Sequence, residues 1–167
     1  MPTRTVATFE ASLDRLNVGW THTSPDEFEA TLSAVCDDPT VGVSLPFDEV
    51  TLPSWVNTEP TPADLREART GITAAGLAIA DYGSVVIQAT PDGAEPVSLF
   101  GDCHVAILRK SDIVPDMPAA FSWLAEEFQR TPSSAIIATG PSATADMGEL
   151  VKGAHGPKEV HVVILDE

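Results

Sequence analysis

The sequence predicts an α/β protein with a mixed, mainly parallel β-sheet covered by helices. Three observations predict it. Short apolar runs alternate with stretches of helical periodicity along the chain. Several runs, among them residues 104–108, 135–139 and 160–165, hold so few polar residues that strands built from them would be buried on both faces. The chain has 167 residues, 43% of them hydrophobic and 20% charged, which suits one core and is too apolar for a disordered chain. Residues 1–167 are therefore expected to form a single domain.

The elements follow in order. Val6, Phe9, Leu13 and Leu16 recur at helical spacing, so residues 4–16 read as an amphipathic helix. Ser24-Pro25-Asp26-Glu27 has the pattern of a capping box with proline in the first turn, and Phe28, Leu32, Val35 and Cys36 give the following helix its apolar face. Residues 41–45 read as a buried strand stopped by Pro46. Pro46, Pro53, Pro60 and Pro62 mark a long irregular connection, and long loops often border sites. Thr61-Pro62-Ala63-Asp64 opens another helix, running to about Arg69. Residues 78–80 and 84–88 are two strands around the Asp81-Tyr82-Gly83 turn. Pro91-Asp92-Gly93 is a turn. Residues 97–100 and 104–108 read as further strands, and those around Asp81 and Gly101 suggest an antiparallel portion. Phe121, Leu124, Ala125 and Phe128 mark a helix over 117–130, followed by strands at 135–139 and 160–165.

Nine Lys and Arg stand against 25 Asp and Glu, a net charge of −16 with a pI near 4.3. Such a field disfavours nucleic acid and anionic membranes as partners. Acid is scattered along the chain, as on a solvated surface. Lysine occurs only at 110, 152 and 158. This composition resembles proteins of salt-accumulating archaea. No apolar run approaches the ~20 residues of a membrane span, and the N-terminus lacks a signal-like apolar stretch, so a cytoplasmic protein is expected. Cys36 and Cys103 form no CxxC pair and offer no four-cysteine cluster or zinc site. They are expected to be reduced and buried. No metal is expected, because no histidine pair has helical ligand spacing and Cys103 and His104 would point to opposite strand faces.

Three constellations carry polar groups on turns. In residues 135–157 a strand ends at Thr139, Gly140-Pro141 turns the chain, and Ser142 and Thr144 stand where a helix N-terminus is expected, with Asp146 in its first turn. Helix capping is the alternative role for Ser142 and Thr144. His155 lies between Gly153-Ala154 and Gly156-Pro157, where glycine permits close approach of backbone to a ligand. Its imidazole could carry a proton, donate a hydrogen bond or simply bond the backbone. The second constellation is Gly71-Ile72-Thr73 with Asp81, which can also be a plain turn former. The third is Gly101-Asp102-Cys103-His104. No GxSxG, HExxH, GxxxxGK[ST] or GxGxxG pattern occurs.

In this order the constellations resemble the lactate-utilisation (LUD) domain family. The matching pieces are Gly71-Ile72-Thr73 with residues 78–84, Ser98-Leu99 with His104-Val105, and Gly140-Pro141-Ser142-Ala143-Thr144-Ala145-Asp146 with residues 153–157. Family members often carry a polar or basic residue where Ala143 stands. The resemblance implies a fold similar to glucosamine-phosphate isomerase, ribose-phosphate isomerase and coenzyme A transferases. It implies a role in oxidising L-lactate to pyruvate beside two iron–sulfur partner subunits, with no cofactor bound by this chain. Asp81, His104 and His155 are the catalytic candidates. Gly71, Thr73, Gly140, Ser142, Thr144, Asp146, Gly153 and Gly156 are candidates for holding a small organic acid or another anionic metabolite. The alternatives are a free-standing isomerase- or transferase-like enzyme acting on an anionic metabolite, and a non-catalytic assembly or regulatory module.

The charge generates a first prediction. Ions screen self-repulsion over about 3 Å at 1 M salt against about 10 Å at 0.1 M. The melting temperature should rise steeply from dilute buffer to molar KCl. A flat profile in differential scanning calorimetry would remove the high-salt reading.

Overall fold

Residues 105–108 and 162–165 are apolar without interruption and each is at most 1% exposed, so the strands that carry them face water on neither side. The computed structural model describes residues 2–145 and 148–166. Helix α1 (Pro2–Arg15) leads to β1 (Gly19–Thr23), and α2 (Phe28–Val35) to β2 (Thr40–Gly42). The proline-punctuated stretch 43–61 is irregular, as expected, and ends in α3 (Pro62–Glu67). Then come β3 (Thr70–Ala74), β4 (Leu77–Ile79), β5 (Ser84–Gln88), α4 (Ala94–Phe100), β6 (Cys103–Arg109) and β7 (Ile113–Val114). The chain continues through α5 (Met117–Arg130), β8 (Ala135–Thr139), β9 (Ala143–Thr144), β10 (Val151–Lys152) and β11 (Glu159–Leu165).

The central sheet has the order β1-β11-β6-β3-β2, and every neighbouring pair is parallel. The antiparallel portion is a sheet of its own, ordered β7-β4-β5-β8, with only the β4–β7 pair parallel. One face of the central sheet, carrying Ala106, Leu108, Val162 and Ile164, packs with Ala78 and Val85 of the second sheet region and with Phe9 and Leu13 of α1. The other face, carrying Ile72, Val105, Ile107 and Val163, is covered by Phe28 and Leu32 of α2 and by Phe47, Val50 and Val56 of the irregular stretch. Helix α5 covers the far side of the second sheet through Ala120 and Leu124. The layers thus run helix and loop, sheet, sheet, helix.

Local signals held where capping is self-contained. Thr61 and Asp64 form a reciprocal capping box at α3, and the Asp116 carboxylate accepts from the Ala119 N–H to start α5. At Ser24 the expected box does not form: its hydroxyl donates to the Glu27 carboxylate at 3.4 Å instead, and residues 25–27 make a 3-10 turn. The strand at 41–45 is shorter than expected, with β2 ending at Gly42.

Residues 97–100, expected as a strand, are the end of a helix. Gly93, at φ +91°, closes the turn from Thr90, and the Thr90 hydroxyl accepts from the Ala94 N–H at 3.0 Å. Ala94, Val97 and Ser98 then form a buried stripe at helical spacing. This stripe lies against Gly71 of β3. A Cβ on Gly71 would stand 2.1 Å from the Val97 carbonyl oxygen, so only glycine permits this approach. Gly71→Ala must push α4 outward, and overpacking of this kind costs about 2–3 kcal/mol. Urea unfolding should show that loss; an unchanged midpoint would mean that α4 yields freely.

Candidate functional site

The chain returns three times to the end of the central sheet where β6 and β11 begin. Strand β8 delivers Thr139 and Gly140 there, the segment 153–157 precedes β11, and Gly101-Asp102 precedes β6. The expected helix after Ser142 does not form. Residues 143–144 instead pair with 151–152 as a two-stranded hairpin, Thr144 opposite Val151. The reason is local pairing with the returning chain. The Ser142 N–H donates to the Pro157 carbonyl at 2.8 Å, and the Gly153 N–H donates to the Ser142 carbonyl at 2.9 Å. Backbone donors that a helix N-terminus would leave open are therefore partly consumed. On its other side the returning chain is held by Asp102, whose carbonyl accepts from the Lys158 and Glu159 N–H groups at 2.7 and 3.0 Å.

These contacts frame a cleft of about 300 Å³ between the two sheets. His104 and Val160 form the central-sheet wall, Ile136, Ala138 and Thr139 the β8 wall, and Ser142, His155, Gly156 and Pro157 the rim. Leu99 of α4 closes one side. Gly156 fits closely here, since a Cβ on it would lie 3.1 Å from the Ser142 Cβ. Strand β8, expected to be buried, is a half-buried edge of its sheet, which leaves this opening.

His104 is only 3% exposed. Its Nε2 lies 2.8 Å from the Thr73 hydroxyl, and burial pushes its pKa down to about 4. The ring is therefore neutral at physiological pH, able to donate at one nitrogen and accept at the other. His155 is exposed. The cleft thus joins one enclosed imidazole, one solvent-facing imidazole and the Ser142 hydroxyl.

The structure brings together His104, His155, Gly140, Ser142 and Gly156, with Thr73 behind His104. It does not bring Asp81 to them. Asp81 stands exposed at the β4–β5 turn, where its carbonyl accepts from Ser12 Oγ and Arg15 Nη2, and it does not line the cleft. Thr144 and Gly153 support the hairpin without lining the cleft, and Gly71 serves the packing of α4. Asp146 lies outside the described residues. Sequence reasoning missed Leu99, Ile136 and Ala138 as walls, because strand-edge exposure and the α4 helix decide their roles. His22 and His161 lie outside the cleft and are held by Glu10 and Asp166 and by Thr21 respectively.

A second, larger cavity of about 710 Å³ lies across the 139–143 strap, lined by Arg15, Lys152, Lys158, Glu159 and His161 among others. Cys36 and Cys103 are free and half-buried, and burial pushes their thiols up to about 12 and about 11. Among the described residues no three His, Cys, Asp or Glu side chains converge as metal ligands.

Residues 56–165 carry β3, β6, β11 and both cleft loops, and they match the LUD domain family; the chain belongs to that family. Lactate utilization protein C of Anoxybacillus flavithermus is 37% identical over 101 residues, 59% of this chain and 45% of that protein. The protein of the same name from Bacillus subtilis is 35% identical over 105 residues, 60% of this chain and 44% of that one. The matched segment thus spans less than half the length of these relatives. A DUF162 family protein from Deinococcus radiodurans superimposes with a TM-score of 0.76 over 99% of this chain and 98% of that one, at 19% identity, a likeness of fold.

The buried imidazole generates a pH prediction. Between the ordinary value of 6.5 and about 4 the unfolded chain binds a proton at this position that the folded chain does not. Stability is therefore full above pH 6.5 and is lost as the pH falls toward 4. At about 1.4 kcal/mol per unit, the loss from pH 7 to 5 is about 2 kcal/mol. His161, lowered by burial too, adds to the slope, so urea unfolding of His104→Gln beside the wild type isolates the term. Identical slopes would show that His104 protonates without unfolding.

Proposed function

We propose that this chain acts in lactate utilisation, as the subunit of an iron–sulfur L-lactate oxidation system that holds a small organic acid and carries no cluster of its own. Membership of the LUD family and the names of the relatives support the pathway. The observation that carries the chemical role is the cleft, in which an enclosed neutral imidazole and an exposed one share a small space with a free-facing hydroxyl.

In this reading Ser142 and the His104 ring orient the acid. Thr73 fixes His104, Gly156 lets the returning chain close on Ser142, and Gly140 turns the chain at φ +71°. Oxidation of lactate to pyruvate releases two electrons and two protons. The O–H and Cα–H bonds break as the C=O bond forms: His155 takes the hydroxyl proton, a base supplied by the partner subunits takes the Cα proton, and the two electrons pass one at a time to their iron–sulfur clusters. Asp81 and Thr144 do not line the cleft, and they act only where a partner subunit extends it. The chain works as one LUD-type unit in the cytoplasm, and its acidic, lysine-poor surface suits a cell interior rich in salt. No helix among the described residues is long and apolar enough to cross a membrane.

The test is genetic and biochemical together. A deletion strain should regain lactate-dependent growth with the wild-type chain and fail with His155→Ala. The variant's melting temperature should stay within about 4 °C, the shift worth about 1 kcal/mol for a domain of this size. Tagged wild-type protein should co-purify with two iron–sulfur proteins. Full growth with His155→Ala removes the catalytic role. Normal lactate growth of the deletion strain favours the free-standing enzyme instead.

A further inference from the structure

We propose that the larger cavity is a binding site for an organic anion of cofactor size, a molecule with a phosphate- or sulfonate-like group at one end and an apolar ring at the other. The site is separate from the small cleft and does not depend on the lactate reading.

The first support is charge. Acids outnumber Lys and Arg 25 to 9 in the chain, so an average surface patch is strongly acidic. On this wall the ratio inverts: Arg15, Lys152 and Lys158 stand against the single carboxylate Glu159. Two of the chain's three lysines are here. Lys152 makes no ion pair among the described residues. Among the described residues Arg15 donates through Nη2 to neutral acceptors, the Ser12 hydroxyl and the Asp81 carbonyl, and pairs with no carboxylate. Lys158 bonds Asp102 at 2.8 Å in an exposed pair, leaving two ammonium donors for a ligand. His161 adds no positive charge, since burial lowers its pKa and Thr21 holds its Nε2.

The second support is shape and polarity. A volume of about 710 Å³ is more than twice that of the small cleft. It falls within the ~300–1,000 Å³ of small-molecule sites. Leu16, Val35, Pro141, Leu150 and Val160 line it, so the cations share the cavity with apolar ground. Leu150 is 66% exposed, an apolar side chain that an aromatic body would cover. The carboxyl ends of α1 and α2 border the cavity, and a helix carboxyl end repels anions. The α1 end is muted, because its last carbonyls accept from the Leu16, Asn17 and Val18 N–H groups. Recognition therefore falls to the side-chain cations.

The probe is 8-anilinonaphthalene-1-sulfonate, an aromatic sulfonate, titrated by fluorescence and calorimetry into the folded chain. One saturable site is expected, displaced by tripolyphosphate. Lys152→Glu should weaken it at least tenfold, and Lys152→Arg should restore affinity to within about threefold. Lys110→Glu makes the same change in net charge away from the cavity and should leave affinity within threefold. Lys152 is exposed, so near-UV circular dichroism should be the same in all variants. The proposal is overturned by non-saturable binding, by Lys152→Glu binding as wild type, by tripolyphosphate failing to compete, or by Lys110→Glu weakening binding as much as Lys152→Glu.

Discussion

The middle of the central sheet admits no water on either face. β6 and β11 are enclosed by α2 and the irregular stretch on one side and by the second sheet on the other. A polar group placed there without a partner would cost about 1–3 kcal/mol. Polar chemistry is therefore confined to the strand ends. His104 marks the limit: it is the second residue of β6, it is buried, and it survives by staying neutral and meeting the Thr73 hydroxyl. One register step further, Ala106 sits on the same face opposite Thr73 and is wholly apolar. Both cavities lie at this end because the chain returns here after β8 and before β11, and the 139–143 strap is their common wall.

The strap owes its position to backbone bonds rather than to side-chain packing. Ser142 bonds the returning chain in both directions, to Pro157 and to Gly153, and Asp102 clamps the next two residues. The loops of the cleft are thereby fixed to β11 and β6 directly. Small residues make this possible, since a side chain on Gly156 would press on Ser142 and one on Gly153 would meet the Lys158 stem at 2.4 Å. The site is thus built from the same contacts that set the register of β11.

What the sequence disclosed depended on how local the deciding interaction was. The α5 range 117–130 was legible from the helical spacing of Phe121, Leu124, Ala125 and Phe128, although its buried side proved to be Ala120 and Leu124, with Phe121 59% exposed. The class of fold was legible because double-sided burial leaves uninterrupted apolar runs. Residues 97–100 were not, since a four-residue stretch with three apolar side chains fits strand and helix alike. The deciding contact is with Gly71, distant in the chain. The helix expected after Ser142 failed for the same reason, because Pro157 and Gly153 compete for its backbone. At the candidate site His155 and Ser142 were legible as polar residues on glycine-containing turns, and His104 as a histidine opening a strand just after Gly101. The cations of the larger cavity were not, because Arg15 is far in sequence from Lys152 and Lys158.

The charge of the whole and the charge of the cavity act over different distances. A net −16 repels anions across the full surface, but that field fades beyond about 10 Å at 0.1 M salt and about 3 Å at 1 M. A cation in contact with a bound anion acts at hydrogen-bond distance and is screened far less. Rising salt therefore suppresses the repulsion from distant carboxylates before it suppresses the attraction of Lys152 and Lys158. The same ions relieve the self-repulsion that opposes folding. The exposed ion pairs, such as Arg130 with Glu127, contribute little in either direction. An acidic surface and an anion-accepting cavity wall are thus compatible, and high salt makes them more so.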